Sequence, residues 1–168
     1  TFNMYGGSIT GNEDWFGGTG YGGGGVYVGS NGTFNLYDGT ITENETYQNG
    51  AVWNLGTFNM FGGHIDNNKR GYGIWDGGGV FNDGTMTMTG GTIENCSATG
   101  GGGVYVFHSG SFTMEDGTIE NCSATYGGGV YVDKSTFAME GGTIENCSAK
   151  SGGGGGIYVS SGTFTIGD

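Results

Sequence analysis

Short runs of alternating apolar and polar residues recur along this chain in three forms. In the first, two apolar residues flank one small or polar residue: Phe2/Met4, Phe34/Leu36, Phe58/Met60, Met86/Met88, Phe112/Met114, Phe137/Met139 and Phe164/Ile166. In the second, an isoleucine stands among polar neighbours at Ile9, Ile41, Ile65, Ile93, Ile119 and Ile144. The third is a glycine-rich corner followed by Val26, Val52, Val80, Val104, Val130 or Ile157. Alternation with period two marks a strand with one face buried, so these apolar residues are expected to point inward. Thr33, Thr57, Thr85, Ser111, Thr136 and Thr163 are expected to point outward, with Asn35, Asn59, Thr87, Thr113 and Thr165.

The forms return at a nearly fixed interval. The phase marker Phe2, Phe34, Phe58, Met86, Phe112, Phe137, Phe164 advances by 32, 24, 28, 26, 25 and 27 residues, and Cys96, Cys122 and Cys147 lie 26 and 25 apart. A period of that length marks one supersecondary unit stacked on the next. Like side chains at like interior positions predict in-register parallel strands about 4.8 Å apart, with ladders along a continuous core. The expected fold is all-β: a parallel β-helix, or β-solenoid, of about six coils of roughly 25 residues with three short strands per coil. The crossover rule for parallel strands makes it right-handed. Residues 1–168 are expected to form a single array. The chain opens on Thr1-Phe-Asn-Met4 and closes on Thr163-Phe-Thr-Ile166, the same phase of the repeat, so it is expected to be a segment of a longer repeat protein or a filament subunit.

The motif Gly-Gly-Gly-Val-Tyr-Val followed by Gly-Thr-Phe-Thr-Met-x-Gly-Gly-Thr-Ile-x-x-Asn resembles repeats of bacterial surface adhesins. It is also similar to the GGA(I/V) and FxxN repeats of polymorphic outer-membrane proteins and autotransporter passengers. The resemblance covers nearly the whole chain and implies a β-helical passenger in an extracellular or cell-surface setting, without shared catalytic residues. Asn12, Asn44 and Asn68 match the family's asparagine, whereas Cys96, Cys122 and Cys147 replace it in the last three coils.

Composition narrows the partners. A formal charge of −12 with four basic residues (Lys69, Arg70, Lys134, Lys150) excludes nucleic acid, whose phosphates demand Lys and Arg. No apolar run reaches the roughly 20 residues of a membrane span, so no membrane insertion is expected. The cysteines lack the local pairing of a zinc site and are expected to be buried free thiols in one column, with Asn68 next in line. No cofactor and no metal are expected.

The most regular outward feature is aromatic. Tyr27, Trp53, Phe81, Tyr105, Tyr131 and Tyr158 each follow an inward Val or Ile and are expected to form an outer column, read either as a stacking ladder or as an exposed stripe for a partner. Two insertions, Glu13 to Tyr21 and Lys69 to Asp76, add Trp15, Tyr72 and Trp75 as loop candidates for binding. Asp66, Glu94, Glu120 and Glu145 form an acidic column, read as a solvated face. Asn31, Asn44, Asn95, Asn121 and Asn146 begin Asn-x-Ser/Thr sequons, which are glycan sites only in a eukaryotic secreted chain.

An enzyme is not expected. His64 stands in the threonine column and His108 in a turn, neither with a nucleophile beside it, and Arg70 is the only arginine. The expectation is an extracellular structural or adhesive rod that contacts copies of itself end to end and laterally through the aromatic column. The alternative is a module binding glycans or a host surface. Ice binding by the outward threonines and a carbohydrate-active enzyme follow behind.

Overall fold

The structure, a computed structural model, describes residues 1–14, 22–70 and 76–167. Trp15, Tyr72 and Trp75 therefore lie outside the described residues. The described chain coils into a parallel β-helix in which each strand pairs with the equivalent strand one coil away.

Three ladders run the length of the rod in strict register. Phe2, Phe34, Phe58, Met86, Phe112, Phe137 and Phe164 are successive Cα partners. So are Ile9, Ile41, Ile65, Ile93, Ile119 and Ile144. Val26, Val52, Val80, Val104, Val130 and Ile157 complete the set. Their inner members are fully buried, each such side chain stabilising the coil by about 1.5–3 kcal/mol. Interior phenylalanines stack along the axis, Phe34 on Phe58 at 5.1 Å and Phe112 on Phe137 at 4.7 Å between ring centroids.

The coil departs from the expected three separate strands in two ways. First, the Phe/Met and Ile segments fuse into single strands such as Thr33–Thr42, Thr85–Glu94 and Ser111–Glu120, bent by register shifts rather than broken. The bend carries a glycine at positive φ, such as Gly117 at 102°, a conformation that a Cβ disfavours. Second, a short additional ladder follows the isoleucine strand: Glu13–Asp14, Glu45–Thr46 and Lys69–Arg70, continued by Ser97, Ser123–Ala124 and Ser148–Ala149.

The glycine-rich corners pack backbone against backbone. At Gly102 a Cβ would collide with the carbonyl oxygen of Gly128 in the next coil, so the approach of the coils there requires glycine. The corner amides continue the ladder, with Gly78 N donating to Gly101 O at 2.9 Å and Gly102 N to Gly127 O at 2.9 Å.

Among the described residues, the fully buried asparagines stand in two ladders. Asn44 and Asn68 are fully buried above the thiol column, and Asn44 Nδ2 donates to Asn68 Oδ1 at 3.1 Å. Asn54 and Asn82, also fully buried, share the column of Val28, Val106 and Val132, and Asn54 Nδ2 donates to Asn82 Oδ1 at 2.7 Å. Their remaining amide hydrogens reach Thr85 O and Ser111 O in neighbouring coils. A buried amide left unpaired would cost about 1–3 kcal/mol, so stacking asparagine on asparagine is what permits it inside.

Candidate functional site

The expected outer aromatic column exists, in register, but it is not an exposed stripe. Trp53 and Phe81 are 7% exposed, Tyr131 is buried and Tyr105 fully so. The reason is that the next outward positions are apolar too: Leu55 follows Trp53, Phe107 follows Tyr105, and Tyr126 leans in from the glycine corner. Phe107 lies 5.6 Å from Phe81 and 5.4 Å from Tyr105, and Tyr126 lies 5.9 Å from Tyr131. The column is a second core outside the coil. Tyr105 and Tyr131 stack at 4.7 Å with planes 6° apart. Only Tyr27, 46% exposed, and half-buried Tyr158 keep substantial surface. Burial, with the Asp133 carboxylate as the second cause, holds the Tyr105 hydroxyl above the usual phenol range; the hydroxyl stands 3.5 Å from Asp133 Oδ2.

An exposed aromatic ladder stands elsewhere, where the sequence reading did not place one. Tyr5, Tyr37 and Phe61 are 70%, 39% and 44% exposed and stack at 4.7 and 4.8 Å with planes 9° apart. Each follows the second inward residue of its coil, Met4, Leu36 or Met60, at the bend before the isoleucine strand. Stacking turns ring faces toward each other and leaves edges outward. In later coils the same slot holds Thr89, Glu115 and Glu140, so one ridge is aromatic for half its length and acidic after. The signal was legible: three successive coils carry an aromatic in one outward slot.

The acidic column is in register, Asp66 with Glu94, Glu120 and Glu145, and lies at the surface. Its Glu94 and Asp66 carboxylates have polar side-chain partners. His64 Nδ1 lies 3.1 Å from Glu94 Oε1, and Asn95 Nδ2 donates to Asp66 Oδ1 at 2.8 Å. Farther along, Lys69 Nζ lies 3.4 Å from Glu45 Oε2 beside a polar cavity of about 290 Å³ lined by Glu13, Glu43 and Asn67. Among the described residues, no three His, Cys, Asp or Glu side chains converge as a metal site.

The sequons divide by structure. Asn44 is a correction: it is fully buried, its amide donating to Ile9 O and Asn68 Oδ1 while accepting from Asn12, so no glycan can reach it. Asn31 sits in an exposed turn. Asn95, Asn121 and Asn146 are exposed and share φ of 53–54° with Asn67 at 52°. Left-handed backbone explains asparagine there without any glycan, since Asn tolerates that conformation better than most side chains.

The thiol column has the expected register. Cys96 and Cys122 are buried, Cys147 half-buried, and all three are free. Each Sγ faces the isoleucine carbonyl one coil back: Cys96 to Ile65 O at 3.6 Å, Cys122 to Ile93 O at 3.7 Å, Cys147 to Ile119 O at 3.8 Å. Contact with the Cys122 thiol, then burial, pushes Cys147 well above the usual thiol range. The Cys147 contact lowers Cys122, but the Cys96 contact and burial outweigh it, and its shift is also upward.

With this geometry in view, a model of the right-handed β-helix region matches residues 8–167. The chain belongs to the right-handed β-helix family. Neither the curated proteins nor the solved structures contain a match to it. The family fixes the hand expected from the crossover rule.

Proposed function

We propose that this right-handed β-helix is an extracellular structural and adhesive rod, acting through its surface rather than through a catalytic pocket. Its lateral contact surface is the Tyr5–Tyr37–Phe61 ridge, and that exposed stack is the observation that carries the reading. Aromatic side chains held in a rigid ladder present apolar area without a further loss of conformational freedom on contact, a property of contact surfaces. The buried aromatic column supports the same reading from the other side. Trp53, Phe81, Tyr105 and Tyr131 stiffen the rod and leave contact to the ridge. The acidic half, Glu115 and Glu140, keeps copies from packing indiscriminately, because like charges brought together without partners are unfavourable. Side-by-side copies in the same rod, or successive segments of a longer one, are the self-contacts of this proposal.

A glycan-binding module is the second reading. The outward tyrosines and exposed Asp38 on the ridge place hydroxyl and carboxylate groups beside apolar edges, a combination that recognises sugars. One experiment separates the two. The chain and its Tyr37→Ser/Phe61→Ser variant are coupled to beads; bead clustering and binding to a glycan array are scored. Clustering that falls at least tenfold in the variant, with unchanged thermal midpoint, supports the rod. Array binding without clustering supports the glycan reading, and neither behaviour overturns both.

A further inference from the structure

We propose that the thiol column is a binding site for a linear, two-coordinate thiophilic cation, held between Cys122 and Cys147. The two residues lie on neighbouring coils and are pinned on both sides by in-register pairs, Ile119 with Ile144 and Glu120 with Glu145 before them, Ser123 with Ser148 after. Their spacing is therefore that of adjacent strands, about 4.8 Å. Two metal–thiolate bonds of about 2.3 Å laid end to end span about 4.6 Å, so an ion seats between the sulfurs with a small side-chain adjustment.

The surroundings select the ion. Thiolates favour soft cations, and the column offers no imidazole or carboxylate to complete a tetrahedral or octahedral shell. A divalent d10 ion that prefers two collinear sulfurs, such as Hg(II), needs no third ligand. The side chains around it are apolar, those of the isoleucine column, while the carbonyls of Ile93, Ile119 and Glu145 face the two sulfurs. A Cβ at Gly103 would lie 3.5 Å from Cys122 Sγ and one at Gly129 3.4 Å from Cys147 Sγ, so glycine leaves the flank of each sulfur open. Two thiolates and a divalent ion are neutral together, which suits an interior where net charge is costly. The step exchanges protons for the ion without electron transfer: two S–H bonds break, two metal–sulfur bonds form, and two protons leave to solvent. The half-buried Cys147 is the way in. Cys96 stays outside the site, enclosed and with Asn68 Nδ2 4.0 Å away on its other side.

The test is titration of the native chain with Hg(II) chloride. The expected result is saturation at one ion per chain, a sulfur-to-mercury charge-transfer band, two protons released per ion, and a higher thermal midpoint. Alkylation after unfolding should then modify one thiol, located to Cys96 by mass spectrometry. Cys96→Ser should bind unchanged, while Cys147→Ser, with unaltered circular dichroism, should lose the two-proton event. A tenfold excess of Zn(II) should not compete. Three independent one-proton additions, binding retained in Cys147→Ser, or displacement by Zn(II) would each overturn the site.

Discussion

Asn68 Nδ2 stands 4.0 Å from Cys96 Sγ, where an amide ladder hands over to a thiol ladder in one interior column. On its other side Asn68 accepts from both the backbone N–H and the side chain of Asn44, and donates to Ile41 O at 2.8 Å. Asn68→Ala should therefore orphan several buried groups and destabilise by more than the 1–3 kcal/mol typical of one. The exposed counterpart is Asn3, whose Oδ1 accepts from Asn35 Nδ2 at 2.7 Å. Asn3→Ala should shift stability by about 0.5 kcal/mol or less. Urea denaturation of the two variants checks the contrast, and equal losses would refute the buried ladder.

The left-handed slot after the isoleucine strand holds Gly11, Glu43, Asn67, Asn95, Asn121 and Asn146. Glu43, at φ 57°, is the one member with neither glycine's freedom nor asparagine's tolerance. Glu43→Gly should raise stability by about 1 kcal/mol, because the strain it relieves is of that order. Asn95→Gly should change it by a few tenths. A thermal melt in which Glu43→Gly is less stable than the unaltered chain would contradict this reading of the slot.

The second core predicts a contrast between aromatics. Tyr105→Ala should cost about 3–5 kcal/mol, as large-to-small changes in a packed interior do. Tyr37→Ser, on the exposed ridge, should cost less than about 1 kcal/mol. Chemical denaturation of both variants measures it, and a small loss at Tyr105 would return the column to the surface.

Much of this was legible in the sequence because a repeated period-two pattern fixes register. Phe34, Ile41 and Val52 had to face inward, and Cys96, Cys122 and Cys147 had to share a column, since slipping any strand by one residue would turn its apolar set to water. Alternation also placed Tyr105 outside the coil, correctly, but outside the coil is not the same as exposed. Its cover comes from Phe81, Phe107 and Tyr131, and only the folded coil shows how closely they close over it. Asn54 and Asn82 were readable as interior from Val28, Val106 and Val132 in the same slot, had apolarity in neighbouring coils been given more weight than polarity in their own. The sequon at Asn44 misled because a ladder asparagine and a glycan acceptor share the same letters.

Alkaline pH should loosen the rod. Tyr105 is held protonated by burial, with Asp133 as the second cause, so its folded pKa lies above its unfolded one. Stability from such a group is fully present below the unfolded value, about 10, and declines as pH rises beyond it, because the unfolded chain then gives up the proton more readily. Denaturation midpoints should fall above about pH 10, and fall less in Tyr105→Phe. Equal pH slopes in the two proteins would count against the assignment.

The central claim is that contact belongs to the Tyr5–Tyr37–Phe61 ridge and not to the aromatic column. Photochemically induced nuclear polarisation of tyrosine side chains tests it most directly, because a flavin dye reaches only exposed rings. The expected result is strong signals from Tyr5, Tyr37 and Tyr27, silence from Tyr105 and Tyr131, and loss of the Tyr5 and Tyr37 signals, with Tyr27 retained, as protein concentration rises and ridges meet. Strong polarisation of Tyr105 and Tyr131, or a Tyr37 signal unchanged at concentrations where the protein self-associates, would contradict it.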